Sequence, residues 1–276
     1  MSARQAVNQV LLDLERVRQT VAPFPSCVVG SAVLAAHHED LGTPGIDTSF
    51  NDIDVFTNSE SYFMLMGALL HKGYKVQDGY ERTPVRHLSR GFGGWKTNSL
   101  KLQSPHGHEV NIICKYEGRE ELTSLYSVLL SFDWGGLCLG YDEFGVFHDM
   151  RPAIYPDVTD GDYGMLPARA ATIGQGYMGE YIAARMFGRV GKMGKRGYKI
   201  DTFASQVNNG YAVLSKHYQS FPDAKHQALA AFYHDVQQLI VDKKWQDLVD
   251  ASTALIGLGD GTDDQAQFAA DIEALI

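Results

Sequence analysis

The sequence predicts an α/β (α+β) head built around a mixed sheet, followed by a mostly helical region. Three observations carry this. Up to about residue 160, short runs with strand patterning alternate with helical runs. Beyond that point only helical spacing recurs. The chain has 276 residues, 45% hydrophobic and 21% charged, an ordinary globular make-up with enough length for one large core or two small ones. The division falls near 155–165, so the head is expected over 1–160 and the helical region over 161–276.

The elements follow in order. Val7, Val10, Leu11, Leu14 and Val17 recur at helical spacing within residues 3–21. Pro23-Phe24-Pro25 breaks that run, and Cys27-Val28-Val29 reads as a short strand ended by Gly30-Ser31. A helix is expected over AVLAAHHEDL, then a Gly-, Pro- and Ser-rich loop over 42–51. DIDVFT alternates polar and apolar residues, as a half-buried strand does. Ser59 can cap a helix that Gly73 stops. NSLKLQ and EVNIICKY read as strands joined by the turn SPHGH, and REELTSLYSVLL as a helix. SFDWGGLCLGYD and GVFHDM read as further strands. Helices are expected over roughly 177–194, 202–219, 224–241, 243–257 and 263–275.

Composition excludes several classes. The formal net charge of −9 rules out non-specific coating of nucleic acid, which needs an excess of Lys and Arg. The three cysteines, Cys27, Cys114 and Cys138, are far apart in apolar stretches and form no C-x-x-C pair. They read as buried thiols in a reducing compartment. No run approaches the ~18 apolar residues of a membrane span, and the N-terminal segment is amphipathic. The expected setting is a cytoplasm, that of the host if a phage encodes the chain, with no membrane partner.

Residues 27–56 carry the chemistry. A strand ends in Gly30-Ser31 and a helix begins at once. Glycine lets the backbone approach a ligand closely, and a helix N-terminus offers unpaired N–H groups and a positive dipole end suited to phosphate. On the following strand Asp52 and Asp54 are two residues apart, so the strand period places both carboxylates on one face. Two such groups need a cation, and hard oxygen ligands favour Mg²⁺.

VVGS…NDIDVF resembles the signature of the DNA polymerase β-like nucleotidyltransferases, and EVNIICKY, LLSFDWGGLCLGYD and RVGKMGKRGYKI look like elements of a divergent phage- or virus-type branch. Together these cover roughly residues 25–200. The resemblance implies transfer of a nucleoside monophosphate from an NTP, ATP foremost, to a hydroxyl on an RNA 3′ end, a protein or a small molecule. It implies that Gly30 and Ser31 contact the triphosphate and that Asp52 and Asp54 hold Mg²⁺ or Mn²⁺. Two departures accompany it. The loop 41–51 looks like an insertion. Asn111 stands where many active members have a third Asp, and Glu109 and Asp133 are the carboxylates that can replace it; the choice among the three stays open. A nucleotide-binding or protein-interaction module that has lost catalysis is the alternative reading.

Weaker signals are set against plainer readings. Arg185, Arg189, Lys192 and Arg196 form one helical stripe with no acid among them. It is either a solvated amphipathic face or a wall for the phosphate tail or an RNA acceptor, with Arg185, Arg189 and Lys192 as the contacts. Gly174-x-Gly176-x-x-Gly179 follows no apolar strand and reads as a loop leading into a helix. GRVGKMGKRG has the wrong spacing for a P-loop. His37-His38 and His106-x-His108 lack further ligands at a convincing spacing and are expected at the surface or in turns.

Overall fold

The computed structural model describes residues 1–21, 24–77, 95–117, 120–167, 169–170 and 180–259. The chain divides into two compact units, Met1–Asp157 and Val158–Ile276. The first holds a mixed sheet with helices and the second holds helices, which is the fold class the sequence predicts.

The first unit runs α1 (Ala3–Arg18), β1 (Ser26–Val29), α2 (Ser31–Leu41), β2 (Asp52–Thr57), α3 (Ser59–His71), β3 (Lys75–Val76), β4 (Trp95–Gln103), β5 (Glu109–Glu117), β6 (Glu120–Glu121), α4 (Leu125–Leu130), β7 (Leu139–Tyr141), β8 (Phe147–Asp149) and α5 (Arg151–Ile154). Its eight strands lie in the order β3-β4-β5-β2-β1-β7-β8, with β6 paired to β5 off that path. β2 and β5 run parallel; the other pairs are antiparallel.

The two faces of this sheet differ. Val28, Ile53, Val55, Leu102, Val110 and Ile112 are buried on one, the side on which α2 and α3 pack, with α1 laid against both helices. On the other face Cys27, Val29, Phe56 and Ile113 form an apolar cluster with Val128 and Leu129 of α4. The polar residues on that same face lie beyond this cluster. So α4 covers one half of the face and leaves the half bearing Asp52 and Asp54 to other use. All three cysteines are buried free thiols; burial pushes those of Cys27 and Cys138 up to about 12, so both stay protonated and inert near neutrality.

Two elements differ from expectation. The run read as one helix over 119–130 holds strand Glu120–Glu121 and a helix that starts only at Leu125. Ser124 caps that helix reciprocally with Ser127, while the Glu121 carboxylate accepts the backbone N–H of Ser59 and, at 3.0 Å, the thiol of Cys114. Capping at Ser124 and anchoring of Glu121 prevent a continuous helix. The strand expected over 131–142 is confined to Leu139–Tyr141, after a bend and a 3₁₀ turn at Gly135–Leu137. The turn needs glycine: a Cβ on Gly135 would overlap the ring of Tyr155, and one on Gly136 the indole of Trp134.

The second unit contains α6 (Glu180–Lys195), α7 (Asp201–Gln219), α8 (Ala224–Val241) and α9 (Trp245–Gly259). α6 packs on α9 and α7 on α8. The expected helix over 263–275 and the run Gly174–Gly179 lie outside the described residues. The glycines of GRVGKMGKRG serve packing: Cβ atoms on Gly188, Gly191 and Gly194 would strike Ser252, the Trp245 carbonyl and the Trp245 ring. Their i, i+3, i+6 spacing is a small-residue stripe that brings α9 against α6.

Candidate functional site

The site is built at the junction of β1, α2, β2, β5 and β4. β1 ends at Val29, opposite Asp54 on β2. Gly30 then adopts φ +89° and starts α2 with no side chain capping it. A Cβ on Gly30 would lie 2.5 Å from Asp54 Oδ2. Glycine is therefore required twice, for its backbone conformation and because the Asp54 carboxylate rests against the turn. The Gly-Ser turn and the Asp pair, 20 residues apart in sequence order, are thereby brought into contact range. The uncapped first turn of α2 presents backbone N–H groups there.

The register completes the face. Parallel pairing sets Asp52 beside Glu109 and Asp54 beside Asn111, and antiparallel pairing sets Lys101 of β4 beside Asn111. Residues paired across strands share a face, so Asp52, Asp54, Glu109, Asn111 and Lys101 line up on one polar surface. Lys101 Nζ lies 3.2 Å from Glu109 Oε2 and 3.5 Å from Asp52 Oδ2, and Gln77 Nε2 donates to Glu109 Oε1 at 2.7 Å. Asn111 Nδ2 donates to Asp54 Oδ1 at 3.2 Å. Among the described residues, Asn111 Oδ1 is a buried acceptor with no hydrogen-bond partner.

These donors suit a hard divalent cation. Asp52 and Asp54 offer carboxylate oxygens and Asn111 an orphaned amide oxygen on one rigid face, the oxygen-only chemistry that Mg²⁺ or Mn²⁺ takes. Among the described residues, no three His, Cys, Asp or Glu side chains gather as a metal-binding group. The Asn111 amide oxygen, on the same face as the Asp pair, is one further oxygen that such a cation could take.

The remaining predicted residues lie elsewhere. Ser31 is the first residue of α2. Asp133 sits in the bend between α4 and the 3₁₀ turn rather than on a strand beside Asn111, and its charge acts on the buried Cys138. Arg185, Arg189 and Lys192 are on α6 in the second unit; Arg185 and Lys192 are exposed and Arg189 is half-buried, opposite a buried stripe of Met186, Val190 and Met193. His37 hydrogen-bonds Arg151 at 2.8 Å, and His38 hydrogen-bonds Thr43 at 3.0 Å. His106 is in the β4–β5 turn, whereas His108 is buried.

Sequence reasoning missed Lys101 and Gln77. The alternation of NSLKLQ sets Lys101 and Gln103 on one side of β4, but only strand pairing shows that this side carries the carboxylates. Gln77 follows a two-residue strand too short to register as a pattern.

No family model and no curated protein matches the sequence. Solved structures similar to the chain include a tRNA-processing enzyme in an apo form, with TM-score 0.47 and 12% identity over 98% of this chain and 63% of that one. A CCA-adding enzyme in complex with CTP gives 0.47 and 12% over 94% and 55%. A tRNA nucleotidyltransferase complexed with a primer tRNA and an incoming ATP analog gives 0.45 and 12% over 89% and 66%. The chain spans between about half and two thirds of the length of these proteins. Scores below 0.5 leave the weight on the site's own geometry.

Proposed function

We propose that the chain is a nucleotidyltransferase that moves a nucleoside monophosphate from an NTP to an acceptor hydroxyl. One observation carries this reading: the Gly30-Ser31 turn at the start of α2 is packed against Asp54, with Asp52 and Asn111 on the same strand face. A phosphate-binding turn and a cation-binding carboxylate pair are of use together when the ligand is a metal-bound polyphosphate.

In this reading the backbone N–H groups of α2 and the Ser31 hydroxyl hold the triphosphate tail. Asp52, Asp54 and Asn111 Oδ1 hold Mg²⁺ or Mn²⁺, which when bound neutralises the triphosphate and polarises the α-phosphate. The acceptor oxygen bonds to the α-phosphorus, the bridging bond to the β-phosphate breaks, and pyrophosphate leaves. The acceptor proton passes to a carboxylate. Glu109, next to Asp52 and oriented by Lys101 and Gln77, is the group we assign to that task. Arg185, Arg189 and Lys192 are assigned as an anion-binding stripe of the second unit.

The absence of a third Asp at position 111 favours one other reading, a module that binds a metal nucleotide without turning it over. A transfer assay separates the two. Each α-labelled NTP is supplied with Mg²⁺ or Mn²⁺ and with tRNA, bulk RNA, cell protein or small polyols as acceptor; tRNA is included because one of the similar solved structures holds a primer tRNA. Wild type is expected to move label, and Asp52→Ala/Asp54→Ala to lose at least about 10²-fold, the low end for removing a group that moves a proton or stabilises developing charge. Metal-dependent NTP binding with no transfer would establish the silent module instead.

A further inference from the structure

Lys101 puts an ammonium group on the carboxylate face. We propose that this ammonium does the work of a second divalent cation, so that the site takes its metal nucleotide with a single divalent ion. The inference rests on the transferase reading above and sets the metal count which that reading leaves open.

Strand pairing creates the need for a cation at this point. The parallel register sets Asp52 beside Glu109, and like charges side by side across a ladder destabilise it. Lys101 Nζ bridges the two carboxylates, 3.5 Å from Asp52 Oδ2 and 3.2 Å from Glu109 Oε2. Bridging acidic side chains is what a second metal ion does in two-metal phosphoryl-transfer sites, where it stands ~3.5–4 Å from the first. Here the chain supplies the bridging charge itself.

The ammonium is held by the sheet rather than carried on a loop. Lys101 lies in β4, which pairs with β5 along its whole length from Trp95 to Gln103. The Lys101 carbonyl accepts the backbone N–H of Gln77 at 3.1 Å, and the Gln77 side chain donates to Glu109 Oε1 at 2.7 Å. Lys101, Gln77 and Glu109 therefore lock one another. The Lys101 side chain is 27% exposed, unlike the mobile surface lysines whose ion pairs contribute little.

Charge supports the same assignment. Set against an aspartate at 111 and a neutral residue at 101, Asn111 removes one negative charge and Lys101 adds one positive charge. The difference equals the charge of one divalent ion. The two residues are direct partners across β4 and β5, so both changes fall at one point of the face. The divalent ion is left the Asp54 end, where among the described residues Asn111 Oδ1 is a buried acceptor without a partner, and the Asp52 oxygen that Lys101 does not engage. One or two carboxylates, with phosphate oxygens in further positions, are the usual protein share in holding a single Mg²⁺.

The test counts Mn²⁺ on the full chain by electron paramagnetic resonance. The α,β-methylene analogue of each NTP is supplied in turn, below the protein concentration, so that the nucleotide is all bound. Wild type is expected to hold about one Mn²⁺ per bound analogue, Lys101→Met about two, and Lys101→Arg about one. Lys101→Gln is a second neutral variant, and melting temperatures check that each folds. In wild type labelled with ¹⁵N at lysine Nζ, Mn²⁺ is expected to show hyperfine coupling to a lysine nitrogen, a readout that needs no variant. Two Mn²⁺ per analogue on wild type, or no such coupling, overturns the proposal and leaves the transferase reading standing. A folded neutral variant that still holds one Mn²⁺ overturns it as well, because Lys101 then serves only the sheet. Failure of wild type to bind any analogue with Mn²⁺ overturns this inference and the transferase reading together.

Discussion

At the scale of single residues, position 111 decides how the site stores charge. Asn111 donates to Asp54 through its amide nitrogen and keeps its oxygen unpaired. The neutral amide lets Asp54 sit in a half-buried place without a second negative charge pressed against it. Asn111→Asp removes that hydrogen bond and installs like-charge repulsion, so the metal-free variant is expected to lose roughly 1–3 kcal/mol. Mg²⁺ should return most of that loss, because a third carboxylate raises cation affinity. Melting temperatures with chelator and with excess Mg²⁺ check this. A variant as stable as wild type in chelator, or indifferent to Mg²⁺, would remove Asn111 from the cation site.

At the scale of elements, α6 shows how glycine can be required inside a helix. On an exposed helix, replacing Gly by a larger residue removes a penalty of about 1 kcal/mol relative to Ala. Here the sign reverses. A Cβ on Gly191 would stand 2.7 Å from the backbone carbonyl of Trp245 and 3.0 Å from Leu248 Cβ, and a backbone atom cannot swing aside as a side chain can. Gly191→Val is therefore expected to destabilise the second unit by about 1–3 kcal/mol through overpacking. A chemical-denaturation midpoint at or above that of wild type would mean that α9 does not pack on this stripe. The same glycines give GRVGKMGKRG its superficial likeness to a phosphate loop, and packing against α9 accounts for them.

At the scale of the whole molecule, acid is the condition that this fold resists least. Burial, then neighbouring His37 and Arg151, takes His38 down from 6.5 to about 4, and burial likewise lowers His37 and His108. The folded state thus binds fewer protons than the unfolded chain between the folded and unfolded values of these groups. Stability accordingly rises with pH through that window and is lost as pH falls below about 6.5. Asp142 and Asp149 add to the loss further down: burial works against their charge, but hydrogen bonds from His148 and Arg151 respectively outweigh it and hold both below the usual carboxylate range. Melting temperature should fall between pH 7 and pH 5, and His38→Gln, which has no proton to gain, should fall less. Parallel curves for the two proteins would show that His38 is not among the groups responsible. Among the described residues, no helix is long and apolar enough to cross a membrane.

Local pattern determined much of this protein by itself. The alternation of DIDVFT put Asp52 and Asp54 on one strand face, the break at Gly30-Ser31 began a helix, and helical spacing marked the second half as helices. Each depends on residues close in sequence, where a strand repeats every two positions and a helix every 3.6. Pairing between distant strands was not legible, because alternation states which residues share a side and not which side meets which partner. Only the tertiary structure set Lys101 beside Asp52, left Asn111 Oδ1 orphaned, and held Glu121 against Ser59 and Cys114 so that the helix after it begins only at Leu125. Those outcomes belong to contacts between segments far apart along the chain, and a one-dimensional pattern does not contain them.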